Sequence, residues 1–478
     1  MALRSKLRFI LPIYRHSSIS SSSATTQFTD PISPPRPGDF EAKPPQLSSF
    51  LKLVARARSA DEFPSKADAV GFLKSSSQEL AAEPTKDLVL SAIWELRGDP
   101  DSGMLAFQWG EEYVLDCPSA WHLMIWSFGN QHRFGEAWGV LRQMQKNRHL
   151  PIRRALEIIM EMYVAANESK KAIKTFHAMD KFNLSANQST FYTLLQALCR
   201  SGNTEEAEEL LFTDRKLFPL ETEGFNIILS GWCDLDLIES KRVWKEMSNY
   251  CIYPDATSYN QMIYAFSKYG NLFDALRLFD EMRKRDWVPE LKVYNSLIYV
   301  LTTSGCLNQA QVMLDRLKNE GLEPDVSTYN SMIIPLCATG KNLDEARGLM
   351  AKMIGCGVSP NIETYHAFAM VETQKGSLDL LRRMKNSGLG PNCSTFRMMI
   401  GRFLKMELPG FALRLWREIG DTNYNVEPDS ALYLELVNGL VSCGWISKGK
   451  ELYDEMISKG FQQDPKIRSF FEKWAASR

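Results

Sequence analysis

No apolar run in this sequence reaches the roughly 18 residues a helix needs to cross a bilayer, so membrane insertion is not expected. Histidine is scarce, at 6 of 478 residues, and none sits in an H-x-E or H-E-x-x-H arrangement that could organise a zinc-bound water. The 9 cysteines form no C-x-x-C and show no zinc-ligand spacing, which points to no metal or other cofactor, and Cys199, Cys233 and Cys337 read as small, reduced and buried. Net charge is small as well. It is formally −1, and about −5 once the four cations of the first 29 residues are set aside, unlike the basic footprint of most nucleic-acid proteins. No constellation supports an enzyme.

What the chain does have is 44% hydrophobic and 24% charged residues, enough for a large folded body, and a repeat. Residues 256–290, ATSYNQMIYAFSKYGNLFDALRLFDEMRKRDWVPE, are answered by 291–325, LKVYNSLIYVLTTSGCLNQAQVMLDRLKNEGLEPD. Tyr259-Asn260 matches Tyr294-Asn295, Gly270 matches Gly305, Ala275 matches Ala310, and Pro289-Glu290 matches Pro324-Asp325. Tyr259, Ile263 and Phe266 recur at helical spacing, and Gly270 falls where a left-handed helix end is needed. Asn271 can then cap a second helix carrying Ala275, Leu278 and Met282, which stops before Pro289. Each copy is thus expected to be two helices that cross closely at Ala275 or Ala310.

The order Tyr-Asn, apolar pair, Gly, Ala, Met or Leu, then Pro with an acid resembles the pentatricopeptide repeat family, in particular the P-class of plant organelles. It resembles the tetratricopeptide repeat less, since the Trp-Leu-Gly-Tyr pattern is missing. The resemblance implies an all-α fold, a right-handed superhelical α-solenoid of about eleven helix-turn-helix repeats. Carried along the chain, the units are 83–116, 117–152, 153–187, 188–221, 222–255, 256–290, 291–325, 326–361, 362–392, 393–429 and 430–464. The first is degenerate. The 362–392 unit reads as having lost part of its second helix, and 393–429 carries extra residues near Asp421–Asn425.

Residues 1–29 contain Arg4, Lys6, Arg8 and Arg15, a serine run and no acid before Asp30, the pattern of an organelle transit peptide. Leu3, Leu7, Ile10 and Leu11 share one helical face, which favours the mitochondrion, with the chloroplast as the alternative. Residues 30–46, with Pro31, Pro34, Pro35, Pro37, Pro44 and Pro45, read as a linker. Helical periodicity at 47–82 reads as N-terminal capping helices, 83–464 as the solenoid and 465–478 as a C-terminal tail. With so short a tail, the zinc deaminase or nuclease-like domains of some relatives are not expected. The carboxylates Glu205, Glu206, Glu208 and Glu209 read as the solvated face of a second helix, and Cys199, Cys233 and Cys337 share one repeat position near the end of a first helix.

Helical repeats that read RNA present their first helices to successive bases, with two or three side chains per base. The resemblance assigns this to the fifth and last residues of a unit, here Asn226 with Asp255, Asn260 with Glu290, Asn295 with Asp325, and Asn330 with Asn361. It implies uracil for the first and third pairs and either pyrimidine for the fourth, while the longer Glu290 departs from the pattern. The partner expected is therefore single-stranded organellar RNA with a pyrimidine-rich core site. Arg200, Lys268 and Lys405, near the ends of first helices, suit phosphates. At Trp121, Glu157, Tyr192, His366, Arg397 and Leu434 the fifth residue gives no readable preference, and the second residues Glu223, Thr257, Lys292 and Ser327 are not the apolar wedges of a strong binder. Two functions remain open: an RNA-binding protein of transcript splicing, stability, end processing or translation, and an adaptor using the solenoid against RNA-processing or ribosomal proteins or ribosomal RNA.

A fluorescent protein fused to residues 1–60 should enter mitochondria, and replacing Arg4, Lys6, Arg8 and Arg15 by Glu should keep it in the cytosol. Imaging that found the intact fusion in plastids would overturn the assignment.

Overall fold

The computed structural model describes residues 44–58, 65–79, 85–146, 150–340, 342–420, 424, 426–462 and 464–476. The expected transit peptide and residues 30–43 of the expected linker lie outside them. Every described element is helical, with no strand among the described residues. Two compact units, Met1–Gly231 and Trp232–Arg478, make up the chain. Each is a stack of antiparallel helical hairpins, an α-solenoid.

Local chemistry sets the hairpin. In the 256–290 repeat, Asp255 accepts from the Ser258 N–H and its own N–H donates to Ser258 Oγ, a capping box that starts the Ala256–Lys268 helix. That helix ends in a left-handed turn at Gly270, φ +73°, where the Asn271 N–H bonds back to the Phe266 carbonyl. Asn271 Oδ1 then accepts from the Asp274 N–H and begins the Leu272–Lys284 helix. Asp325, Asn361 and Asn392 build the same capping box in later repeats.

Packing repeats with the same period. In the N-terminal unit Ala137, Ala172 and Ala207 are fully buried on second helices; in the C-terminal unit Ser240, Ala275, Ala310, Ala346, Ser377 and Ala412 hold that place. Gly449 completes the column, and a Cβ there would lie 3.1 Å from Val441 Cγ2 and 3.5 Å from the Val437 carbonyl of its partner helix. Only small residues fit this crossing. The fourth residues Tyr294, Tyr329 and Tyr433 are buried beside it, each ring contributing on the order of 2 kcal/mol. Two of them reach a carboxylate on the following second helix or its end: Tyr294 Oη donates to Glu320 at 2.5 Å and Tyr433 Oη to Glu455 at 2.8 Å.

The ends are covered. Leu47–Ala57 buries Phe50 against Trp109, ring centroids 4.2 Å apart, and Lys66–Glu79 buries Leu73. At the other end the segment read as a tail forms a helix, Pro465–Ala476, which buries Ile467 and Phe471 on the last hairpin.

The short repeat departs from expectation. Its second helix, Gln374–Asn386, is full length at 13 residues, and its first, Ile362–Ala369, has only 8. Thr373 caps the second helix early by accepting from the Gly376 N–H. The carbonyls that a longer first helix would have satisfied are taken by Arg402 of the next repeat, which donates to Ala369 O at 3.2 Å and Glu372 O at 2.6 Å. Glu372, 8% exposed, turns inward and accepts from Arg347 at 2.9 and 3.0 Å. Of the extra residues in the following repeat, Tyr424 is described, packing its ring 5.9 Å from Phe396.

Where glycine is missing from a turn, another residue holds the same backbone. His132, Asn167 and Glu407 end first helices at φ +59°, +60° and +59°. A left-handed backbone costs a side-chain-bearing residue about 1–2 kcal/mol, partly offset by glycine's greater freedom when unfolded. Glu407→Gly should therefore raise stability by about 1 kcal/mol, and Gly270→Ala should lower it by a similar amount. Chemical denaturation followed by helical circular dichroism checks both.

Candidate nucleic-acid interface

In the C-terminal unit the first helices pack on one another in sequence: Ala256–Lys268 on Leu291–Thr303, then Val326–Thr339, then Ile362–Ala369. Their fifth residues therefore face the start of the next first helix. Asn295 Nδ2 lies 3.5 Å from Asp325 Oδ1, and Asn330 Nδ2 donates to Asn361 Oδ1 at 3.1 Å. Two of the expected pairs are thus brought together. Asn260 is 8% exposed, its Oδ1 unbonded among the described residues, and Glu290 makes no side-chain cap. Asn226 is buried in the N-terminal unit on Thr222–Leu235, while Asp255 caps Ala256–Lys268 in the C-terminal one.

The last residues have a structural duty too. Asp255, Asp325 and Asn361 are N-caps, so the carboxylate or amide at each of these last positions is anchored to its own helix. A third residue joins them, one that periodicity alone did not single out. Thr364 Oγ lies 2.7 Å from Asn330 Oδ1, His366 Nε2 lies 2.9 Å from Thr395 Oγ, and Thr190 Oγ donates to Glu157 Oε1 at 2.9 Å. In each case the third residue of the following unit touches the fifth residue of the one before.

The cations expected to meet phosphates are arranged unequally. Lys268 is held by Asp234, its Nζ 2.9 Å from Oδ1 and 3.0 Å from the carbonyl, and both lie by Tyr264. Lys292, a second residue, places its ammonium 4.3 Å from the centroid of that ring. Lys405 and Arg397 are exposed on one face of Cys393–Lys405. Arg200 is exposed at the end of Gln188–Arg200, near the Glu161 carboxylate.

In the N-terminal unit the fifth positions are occupied from within. Trp121 is buried and donates from Nε1 to the Leu115 carbonyl. Arg154 donates to Glu157 at 3.2 Å and Glu161 at 2.9 Å, and burial raises the Glu161 carboxyl even so. Tyr192 Oη accepts from Gln188 at 2.8 Å. His366, in the C-terminal unit, has its imidazole pKa lowered by burial and is neutral at pH 7.

A family model described as the PPR repeat family matches residues 289–338, and a PPR repeat model matches 119–149, 189–212, 257–287 and 432–461. A mitochondrial pentatricopeptide repeat-containing protein of Arabidopsis thaliana is 47% identical over 423 residues, covering 88% of this chain and 77% of the relative. The chain belongs to the pentatricopeptide repeat family. A second mitochondrial member from the same plant is 32% identical over 412 residues, covering 85% of this chain and 72% of its own. Among solved structures, the maize pentatricopeptide repeat protein PPR10 aligns over 89% of this chain and 70% of its own at 17% identity, with a TM-score of 0.41.

The cysteines of this repeat protein divide by environment. Burial pushes the thiols of Cys199, Cys233 and Cys337 up to about 12, so at pH 8 almost none is thiolate. Cys251 and Cys356 are exposed. Brief alkylation of the native protein at pH 8 should modify Cys251 and Cys356 and spare the other three, read by peptide mass spectrometry; equal labelling of all five would contradict the burial.

Proposed function

We propose that this is a P-class pentatricopeptide repeat protein of the mitochondrion. It binds single-stranded organellar RNA, without catalysing a reaction on it, and thereby acts in splicing, stability, end processing or translation of a transcript. The observation that carries the reading is the meeting of Asn295 with Asp325 and of Asn330 with Asn361 at the junctions of successive first helices. An amide held there offers both a donor and an acceptor to the pairing edge of a base. The acid-free basic N-terminus and the mitochondrial names of two relatives support the location.

The RNA would run its 5′ end toward the chain's N-terminus and place uracil, pyrimidine, uracil and pyrimidine against the units 222–361. Lys405 and Lys292 supply cations in the C-terminal unit and Arg200 one in the N-terminal unit, and Lys268 can join once it leaves Asp234. The N-terminal unit favours a second role. Its fifth positions, Trp121, Glu157 and Tyr192, already have their hydrogen bonds made inside the protein, which suits contacts to a processing or ribosomal protein better than base reading.

Substituting Asn295→Thr should move the third preference from uracil to guanine, because threonine with a terminal acid such as Asp325 resembles the guanine pair of the family. Discrimination at that base should be about 1–3 kcal/mol. Binding to short RNAs differing at that nucleotide tests it, and equal affinity of the parent protein for all four bases would leave the adaptor role in its place.

A further inference from the structure

We propose that Thr364 is a positioning residue for Asn330, its hydroxyl setting how strongly that amide prefers uracil over cytosine; the inference rests on the RNA-binding function proposed above. The argument starts at the backbone. The Thr364 N–H donates to Asn361 Oδ1 at 3.0 Å, which fixes that amide with its oxygen inward. Asn330 Nδ2 donates to the same oxygen at 3.1 Å and fills its second lone pair. The Thr364 hydroxyl lies 2.9 Å from that filled oxygen and 2.7 Å from Asn330 Oδ1. Having one proton, it gives it to Asn330 Oδ1, the shorter contact and the acceptor still open. The polarity of a helix N-terminus is thereby passed through two amides and a hydroxyl to the atom that would face the base.

One unit earlier, with Asp325 in the place of Asn361, the wiring differs. Thr328 Oγ lies 2.8 Å from Asp325 Oδ1, and a carboxylate is the stronger acceptor, so the proton goes there. Asn295 Oδ1 is left buried and unbonded among the described residues. A buried acceptor without a donor is costly, and the N3–H of uracil supplies one where the N3 of cytosine does not. At Asn330, 4% exposed, the threonine already meets part of that need, so the amide accepts either pyrimidine. The unit at 256–290 provides an internal contrast: Val293 stands at the third position of the next helix, no hydroxyl is available there, and Asn260 Oδ1 is unbonded among the described residues.

The test measures affinity of the full chain for an oligoadenosine-flanked pyrimidine core with uracil or cytosine opposite unit 326–361. Thr364→Val should raise the uracil-to-cytosine affinity ratio there by about threefold to tenfold, the worth of one neutral hydrogen bond. Thr364→Ser, which keeps the hydroxyl, should hold the parental ratio, and the ratio opposite unit 291–325 should stay the same in all three proteins. With Asn361→Asp in place, the new carboxylate takes the proton, so adding Thr364→Val should shift nothing further. If valine prevents folding, judged by helical circular dichroism, Thr364→Cys replaces it with the same expected rise, since a thiol is a weak donor. An unchanged ratio in Thr364→Val, or serine behaving as valine does, overturns the inference while leaving RNA reading intact. A parent protein indifferent to the base at every position overturns both.

Discussion

The structure depends on the close crossing of two helices within each hairpin. A single methyl, hydroxymethyl or hydrogen, from Ala137 to Gly449, is all the room that crossing leaves. The second helix can then bury Leu278 and Met282 or their equivalents, and the first helix is left with one face for its neighbour and one for the outside. Dispersion contacts at such a distance are weak singly and large in sum, which is how a chain with small net charge and no disulfide holds together hairpins that would not be stable alone.

On that frame sits a polar layer with its own logic. Asp325 and Asn361 are both caps and neighbours of the previous unit's fifth residue, so local structure and the candidate site draw on the same oxygens. Asp325 carries a carboxylate where Asn361 carries an amide; Thr328 Oγ lies 2.8 Å from that carboxylate, and Thr364 Oγ lies 2.7 Å from Asn330 Oδ1. Local structure cannot be changed here without touching the candidate site.

The hairpins were legible because their signals are strictly periodic: Gly270 and Gly305, Ala275 and Ala310, and the recurring proline with its acid each have one physical job. The fifth and last residues were legible from the resemblance. What sequence did not reveal depends on pairings across repeats. Thr364 and Thr395 look like ordinary capping residues until the preceding Asn330 and His366 are seen against them. Lys268 reads as a phosphate ligand, and its tie to Asp234 involves a residue 34 positions away. The short repeat was read with its loss in the second helix, since no glycine marks the end of the first; Thr373 supplies the boundary instead, and Arg402 the missing donors. Glu407 and His132 hide left-handed turns because neither residue type signals one.

The bond from Arg402 to the carbonyls of Ala369 and Glu372 also bears on how such a chain can evolve. A deletion inside a helix exposes backbone acceptors that no local side chain can reach, and here the replacement donor comes from the neighbouring repeat. Restoring the turn would give those carbonyls back their amides and take two acceptors from the Arg402 guanidinium, while Glu372 and Arg347 would keep each other. Helix length and arginine are thus tied to each other: without Arg402 the short helix loses this donor to two carbonyls, and with a longer helix Arg402 loses both acceptors.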